Sequence, residues 1–166
     1  TMSDVLALQN ISELTVRGVQ LGLRWDFNEN FQVASTINLQ KGKEKDVETG
    51  ENVSPTHVAP SFGSTRVTYT NKRVRLMVYA NYNGKIAFKD LALSERADTH
   101  LYAKDTDGNP YAPAWTTLNF KSSFVLSKFI TVDAGVENIL DKRYRPYSSG
   151  VTAAGRNFIA ALRVKI

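Results

Sequence analysis

Residues 135–144 read GVENILDKRY, and they directly follow the run ITVDA at residues 130–134. Through the run and into the quoted stretch, apolar side chains alternate with polar side chains or glycine; the apolar members are Ile130, Val132, Ala134 and Val136. An alternation with a period of two predicts a β-strand that has one apolar and one polar face. The alternation ends at Glu137 and Asn138, and a polar loop follows. The stretch therefore predicts a two-faced strand that ends sharply at a loop.

The same period of two extends over most of the chain. It is clear in residues 19–27, 31–40, 117–126 and 157–166, and noisier in residues 61–70 and 73–86. Each clear run has about ten residues, the length that a tilted strand needs to cross a bilayer, whereas strands of soluble domains usually have about five or six. No segment has a convincing helical period. The sequence thus predicts an all-β fold.

The connections between these runs alternate between short and long. Residues 28–30, 71–72 and 127–128 are short turns, whereas residues 41–60, 87–113 and 139–154 are long loops. In an antiparallel meander, strict alternation places all turns at one end and all loops at the other, as in outer-membrane barrels. A soluble β-sandwich has no reason to keep this asymmetry, and a lipocalin-type barrel would turn its apolar side chains inward. The pattern favours about seven strands of a transmembrane β-barrel.

The orientation of the side chains follows from the same alternation. The residues expected to face lipid are Val19, Leu21, Leu23, Val132, Val136, Leu162 and Val164. Asn119 is expected on the polar, lumen-facing side. The aromatic residues are expected to form the two aromatic girdles of a barrel. One group lies near the turns or further along the strands: Trp25, Phe27, Phe31, Tyr69, Tyr79 and Phe129. The other group lies on the loop side: Tyr102, Tyr111 and Trp115.

Composition excludes several classes of function. The chain of 166 residues carries a net charge of +5 and has no cysteine, which excludes disulfides, thiolate metal sites and cysteine nucleophiles. The basic residues on the predicted strands are interleaved rather than clustered with exposed aromatics, which argues against a nucleic-acid partner and places them on the lumen face or the rim. They are Arg66, Arg73, Arg75, Lys121, Arg163 and Lys165.

Three candidate sites carry little weight. Residues 105–109, DTDGN, resemble the start of a calcium loop, but no glutamate stands at the twelfth position, so a polar turn is favoured. His57 and His100 lie in separate predicted loops and are weak evidence for a metal site. No local signature links serine, histidine and aspartate. We therefore predict no catalytic, cofactor-binding or metal-ligating residues and no enzyme activity.

Residues 135–144, together with GRNF at residues 155–158, resemble the C-terminal signature of TonB-dependent outer-membrane receptors. TVRGVQLGLRW (residues 15–25) and HVAPSFGSTRVTY (residues 57–69) resemble strands found upstream in that family. The signature residues are Gly135, Val136, Glu137, Asn138, Asp141, Tyr144, Gly155, Arg156, Asn157 and Phe158. We interpret Glu137 and Asn138 as a structural strand terminus, because asparagine tolerates the left-handed conformation and caps loop backbone groups; a direct role in ligand binding is the alternative.

The resemblance implies that residues 1–166 are the C-terminal part of a transmembrane β-barrel, an antiparallel meander of about seven strands out of roughly 22. Residues 1–12 would lie near the extracellular rim, and the plug domain and the N-terminal strands would lie outside this chain. The implied function is active uptake of a scarce nutrient, most often a ferric siderophore, across the outer membrane of a Gram-negative bacterium. The implied partners are the plug and the earlier strands, TonB through the plug, the nutrient, and outer-membrane lipid and lipopolysaccharide. A passive porin or adhesin barrel is the alternative function, and a barrel enzyme a third.

Overall fold

The computed structural model describes residues 13–45 and 50–166, so the predicted position of residues 1–12 lies outside the described residues. The strands are β1 (Leu14–Asp26), β2 (Phe31–Lys45), β3 (Asn52–Val53), β4 (Phe62–Thr70), β5 (Val74–Asn83), β6 (Ala103–Lys104), β7 (Pro110–Tyr111), β8 (Trp115–Val125), β9 (Ile130–Glu137) and β10 (Asn157–Val164). A 3-10 helix, Phe88–Asp90, and a short α-helix, α1 (Leu93–Ala97), lie between β5 and β6. Within the described ranges, no helix is long and apolar enough to cross a membrane.

Seven long strands form one antiparallel sheet in the order β1-β2-β4-β5-β8-β9-β10. The short strand β3 pairs with β2, and β6 and β7 form a separate hairpin. Every long strand pairs with its neighbours along the chain, which is the predicted all-β meander. Among the described residues, β1 and β10 each pair on one side only, so the sheet is an open arc of a barrel wall.

The three short turns share one pattern of side-chain to backbone hydrogen bonds. Asn28, Asn71 and Ser127 occupy the same place in the three turns, and each side-chain oxygen accepts the backbone N–H groups two and three residues later at 2.8–3.2 Å. Asparagine and serine favour such turns because their short side chains replace a backbone acceptor. The turns all lie at one end of the sheet, and the long connections all lie at the other, as predicted.

The strand register gives the sheet one continuous apolar face, which we call the outer face. Directly paired residues of antiparallel strands point to the same face, and one row of paired residues crosses all seven long strands: Trp25, Val33, Val67, Val78, Phe120, Val136 and Phe158. All residues predicted to face lipid lie on the outer face. Leu21 and Leu162 on this face are 59% and 65% exposed. Ser122, a polar residue on the same face, donates to the carbonyl of Ala134 at 3.0 Å.

The opposite face, which we call the inner face, carries the polar side chains. Lys121 forms an ion pair with Glu137 at 3.0 Å, and Arg163 forms one with Asp133 at 2.7 Å. The Tyr79 hydroxyl also donates to Glu137, at 3.2 Å. Arg66 and Arg75 share this face through their register with Tyr79 and Ser123. The predicted lumen-facing side of the strands is therefore the inner face.

Two expectations were wrong in detail. Helix α1 was not predicted, because a single helical turn of five residues is too short to show a helical period. The loop-end aromatic girdle was also wrong: Trp115 pairs with Asn83 on the inner face, and Tyr79 points inward as well. Tyr102 lies in the second long loop and packs on the small core of that loop.

The aromatic residues at the turn end agree with the expected girdle. Trp25 stacks on Phe27, with ring centroids 4.1 Å apart. Phe31 contacts Tyr69, with ring centroids 4.9 Å apart.

Substitution of arginine on the outer face tests the orientation of the sheet. In the protein reconstituted in lipid vesicles, Leu21→Arg is expected to lower the free energy of unfolding by roughly 2–4 kcal/mol, because arginine near the bilayer midplane loses its hydration. Gln20→Arg, one residue away on the inner face, is the matched control and should cost less than about 1 kcal/mol. Asn119 is not a suitable control, since it is only 4% exposed and fully engaged. Urea unfolding followed by fluorescence measures both variants, and equal costs would contradict the assignment of faces.

Candidate functional site

The three long connections pack together into one layer above the sheet, which we call the loop layer. Ile86, Leu91 and Ala112 of the second loop form a buried cluster, and Tyr147 of the third loop packs against it. The Thr56 hydroxyl of the first loop lies 3.1 Å from the hydroxyl of Ser94 in the second. The guanidinium of Arg145 donates to the carbonyl of His100 at 3.0 Å, which joins the third loop to the second. The loops therefore support one another.

A buried carboxylate lies inside the loop layer. Glu95 of α1 is only 3% exposed, and its Oε2 accepts a hydrogen bond from the Tyr147 hydroxyl. Burial, reinforced by the negative charge of Glu95, raises the pKa of the Tyr147 hydroxyl above its ordinary value. The same causes raise the pKa of Tyr102 to about 12. Both phenols are therefore neutral at ordinary pH and can donate hydrogen bonds.

The DTDGN motif forms the tip of the β6–β7 hairpin. Asp105 Oδ1 accepts the backbone N–H groups of Asp107 and Asn109 at 3.0 and 2.8 Å. Gly108 has a φ of 83°, a conformation that glycine adopts without strain. Asp105 is thus engaged by the backbone of its own turn.

Asn138 anchors the third loop at the end of β9. Its side chain accepts the N–H of Lys142 at 2.9 Å and donates to the carbonyls of Lys142 and Ala154 at 2.9 and 3.2 Å. Its own N–H donates to Asn119 Oδ1 at 2.8 Å. Asn138 is 4% exposed and has a φ of 50°, in the left-handed region that asparagine tolerates better than most residues. One side chain therefore ties both ends of the loop to the sheet.

A second clasp lies beside Asn138. Asp141 Oδ1 accepts the N–H of Arg156 at 2.8 Å, and Arg156 Nε donates to the carbonyl of Ile139 at 2.9 Å. A Cβ atom at Gly155 would lie 2.6 Å from Asp141 Oδ1, so any larger residue there would displace the carboxylate. We call Asn138, Asp141, Gly155 and Arg156 the loop clasp.

The other predicted signature residues surround the loop clasp. Val136 and Phe158 are directly paired on the outer face, and Glu137 pairs with Asn157 on the inner face. A Cβ atom at Gly135 would lie 3.0 Å from the carbonyl of Phe120. The Tyr144 ring packs against Trp115 in a tilted arrangement, with centroids 4.2 Å apart. The sequence did not reveal the partners Asn119 and Trp115, because nothing local links them to the third loop, which lies about 20 to 30 residues further along the chain.

A cleft of about 720 Å³ separates the inner face from the loop layer. Its lining includes amide side chains and aromatic rings: Asn38, Asn81, Asn83, Trp115 and Tyr147. His57 also lines the cleft, whereas His100 lies on the second loop. No three metal-ligating side chains cluster in the described part of the chain. Amides and aromatic rings are a lining typical of sites that bind organic ligands.

Comparison with known protein families assigns the chain to a family. The model of the family described as "TonB dependent receptor-like, beta-barrel" matches residues 2–139. The chain belongs to this family. No curated protein matches the sequence.

Solved structures show the same fold. The copper transporter OprC superposes with a TM-score of 0.71 at 15% identity, covering 91% of this chain and 23% of that protein. The ferric yersiniabactin uptake receptor FyuA from Yersinia pestis superposes with a TM-score of 0.64 at 16% identity, covering 93% of this chain and 24% of that protein. The FrpB iron transporter from Neisseria meningitidis superposes with a TM-score of 0.66 at 15% identity, covering 91% of this chain and 24% of that protein. The chain therefore spans about a quarter of the length of the receptors it matches.

Removal of the Asn138 side chain tests the loop clasp. Asn138→Ala is expected to lower the free energy of unfolding by roughly 2–4 kcal/mol, because three hydrogen bonds disappear and the carbonyls of Lys142 and Ala154 lose a donor. Trypsin should then cut at Lys142 and Arg143 more readily than in the native protein. Thr152→Ala, at an exposed position of the same loop, is the control and should leave both unfolding and cleavage unchanged. Unchanged proteolysis of Asn138→Ala would show that other contacts hold the loop.

The buried phenols give the loop layer a pH dependence on the alkaline side. An unfolded tyrosine ionises near pH 10, whereas folding raises the pKa of Tyr102 to about 12 and raises that of Tyr147. Folding therefore favours the neutral phenols, so this contribution to stability is complete below about pH 10 and is lost as the pH rises through about 12.

Absorbance at 295 nm measures the ionisation, and difference spectra against Tyr102→Phe and Tyr147→Phe isolate the two groups. Glu95→Gln removes the neighbouring negative charge and should lower both pKa values. Ionisation of both tyrosines near pH 10 in the native protein would contradict the buried arrangement.

Proposed function

We propose that this chain is the C-terminal wall of the barrel of a TonB-dependent receptor in the outer membrane of a Gram-negative bacterium. The observation that carries the proposal is the family match, on a sheet whose outer face has a continuous row of apolar side chains across all seven long strands. Backbone groups in a bilayer must all be paired, so a spanning sheet has to close. The unpaired edges of β1 and β10 would therefore pair with the N-terminal strands of the same receptor, completing a barrel of roughly 22 strands.

A plug domain supplied by the same receptor would fill the barrel. The inner face suits such a partner, because it carries ion pairs such as Lys121–Glu137 and Arg163–Asp133 together with neutral amides and hydroxyls. TonB would act on the plug, and this chain would contribute the surrounding wall. The chain would have no catalytic role.

The cargo we propose is a scarce, bulky nutrient of the ferric-siderophore class. The cleft beneath the loop layer has the size and the aromatic and amide lining for an organic chelate. Siderophore and iron receptors are among the structural neighbours. The loops at this end would capture the ligand before the plug releases it.

The signature residues would serve the structure of this vestibule rather than contact the ligand. The polar groups of Asn138 and the Oδ1 atom of Asp141 are already engaged by backbone groups. A ligand that bound them would have to break the contacts that hold the third loop. Their role would be to hold Tyr144 and Tyr147 in position over the cleft.

Ligand binding by the full receptor tests the proposal. Ferric siderophores of different chemical classes are titrated against the purified receptor, and uptake is measured in cells with and without TonB. The double variant Asn81→Ala/Asn83→Ala should weaken binding of the cargo about thirtyfold, because each amide contributes a hydrogen bond worth about 1 kcal/mol. Thr70→Ala/Thr131→Ala, at the turn end of the inner face, should bind normally. Uptake that persists without TonB would favour the passive porin instead.

A further inference from the structure

A single histidine lies in the lining of the cleft between the inner face and the loop layer. His57 belongs to the first loop and is exposed. The other described residues that line the cleft are apolar, amide, hydroxyl or aromatic, and none of them is an aspartate, a glutamate, a lysine or an arginine. Of the side-chain types in this lining, only histidine ordinarily changes its charge between about pH 5 and about pH 8. His57 therefore decides whether the lining is neutral or positive.

The first loop holds His57 in an uncommon backbone conformation. The φ angle of His57 is 63°, in the left-handed region where asparagine, aspartate and histidine are the most frequent residues after glycine. The chain is fixed on both sides of it. Before His57, the buried ring of Pro55 occupies the space that a Cβ atom of Gly42 would need. After it, the carbonyl of Ala59 accepts a hydrogen bond from Gln40 at 3.2 Å. The fold thus imposes this conformation on a residue at the cleft, a combination that is common at functional positions.

The charged groups on the elements around the first loop have other partners. Helix α1 contacts the first loop beside His57; on this helix, Glu95 accepts a hydrogen bond from Tyr147, and Arg96 donates to two backbone carbonyls. In the third loop, Arg145 donates to a backbone carbonyl of the second loop, and burial raises the pKa of Tyr147, which stays neutral. No carboxylate in the described part of the chain forms an ion pair with His57. A positive charge on His57 is therefore left for an anion that enters the cleft.

We propose that His57 selects the cargo by its charge. When its ring is protonated, His57 donates a charge-assisted hydrogen bond to an anionic oxygen of an organic metal chelate in the cleft. The amides and aromatic rings of the lining hold the rest of the chelate at every pH, so His57 adds affinity for an anionic chelate as the pH falls below about 7. An uncharged chelate gains little from the same protonation. The inference rests on the proposed function, because it gives His57 a task in binding the cargo proposed there.

Binding of two ferric chelates to the purified full receptor at about pH 8 and about pH 6 tests the role of His57. The probes are an anionic ferric catecholate and an uncharged ferric hydroxamate, and calorimetry gives each Kd. His57→Asn is neutral at every pH and tolerates the same backbone conformation. The native receptor should bind the catecholate within about threefold of this variant at the higher pH and at least about tenfold more tightly at the lower pH, since hydrogen bonds to charged groups are the stronger ones. Comparison with the variant at each pH cancels any change in the chelate itself.

Two further variants complete the test. His57→Asp also suits the left-handed backbone, but it carries a negative charge and should bind the catecholate more weakly than His57→Asn at both pH values. His100→Asn, in the second loop, removes the other histidine of the chain and should keep the native pH dependence.

The outcomes separate the role of His57 from the proposed function. The hydroxamate should bind to the native receptor and to both variants at position 57 within about twofold, because no full charge on the ligand meets the imidazolium. Equal binding of the catecholate by the native receptor, His57→Asn and His57→Asp would overturn the role of His57 and leave the proposed function standing. Failure of both chelates to bind to the native receptor would overturn the proposed cargo, and the role of His57 with it.

Discussion

The antiparallel hydrogen-bond ladder is the constraint on which the rest of the structure depends. A sheet that crosses a bilayer must pair every backbone N–H and C=O within itself, and here six consecutive interfaces do so in an unbroken register. A slip of one residue in any strand would turn its apolar side chains inward and its polar side chains toward lipid. Asn28, Asn71 and Ser127 set the register at one end of the sheet, and the loop clasp sets it at the other.

The strands and the turns could be predicted from the sequence, because both depend on local chemistry. The period of two identified β1, β2, β8, β9 and β10, and short polar connections identified the turns. The loop layer could not be predicted in the same way. The hydrogen bond from Asn138 to Asn119 and the hydrogen bond from Tyr147 to Glu95 join residues 19 and 52 positions apart. The period of the sequence cannot predict such long-range contacts. Trp115 was misplaced because its parity in the strand, rather than its position near a loop, decides which face it occupies.

The inner face of the wall keeps part of its charge in ion pairs. Lys121 and Arg163 have carboxylate partners within the sheet. Arg66 and Arg75, on the same face, form no ion pair with a residue in the ranges 13–45 and 50–166. At the loop end of the sheet, the loop clasp uses its polar groups on backbone atoms, so these groups hold the third loop in place.

The central claim is that the apolar face of this sheet meets lipid and that the polar face meets the lumen. Spin labels at single cysteines along β1, from Val19→Cys to Leu23→Cys, test it most directly, since the chain has no cysteine of its own. In the reconstituted receptor, collision with oxygen should peak at positions 19, 21 and 23, and collision with a water-soluble nickel chelate should peak at positions 20 and 22. The opposite phase, or no alternation at all, would contradict the account.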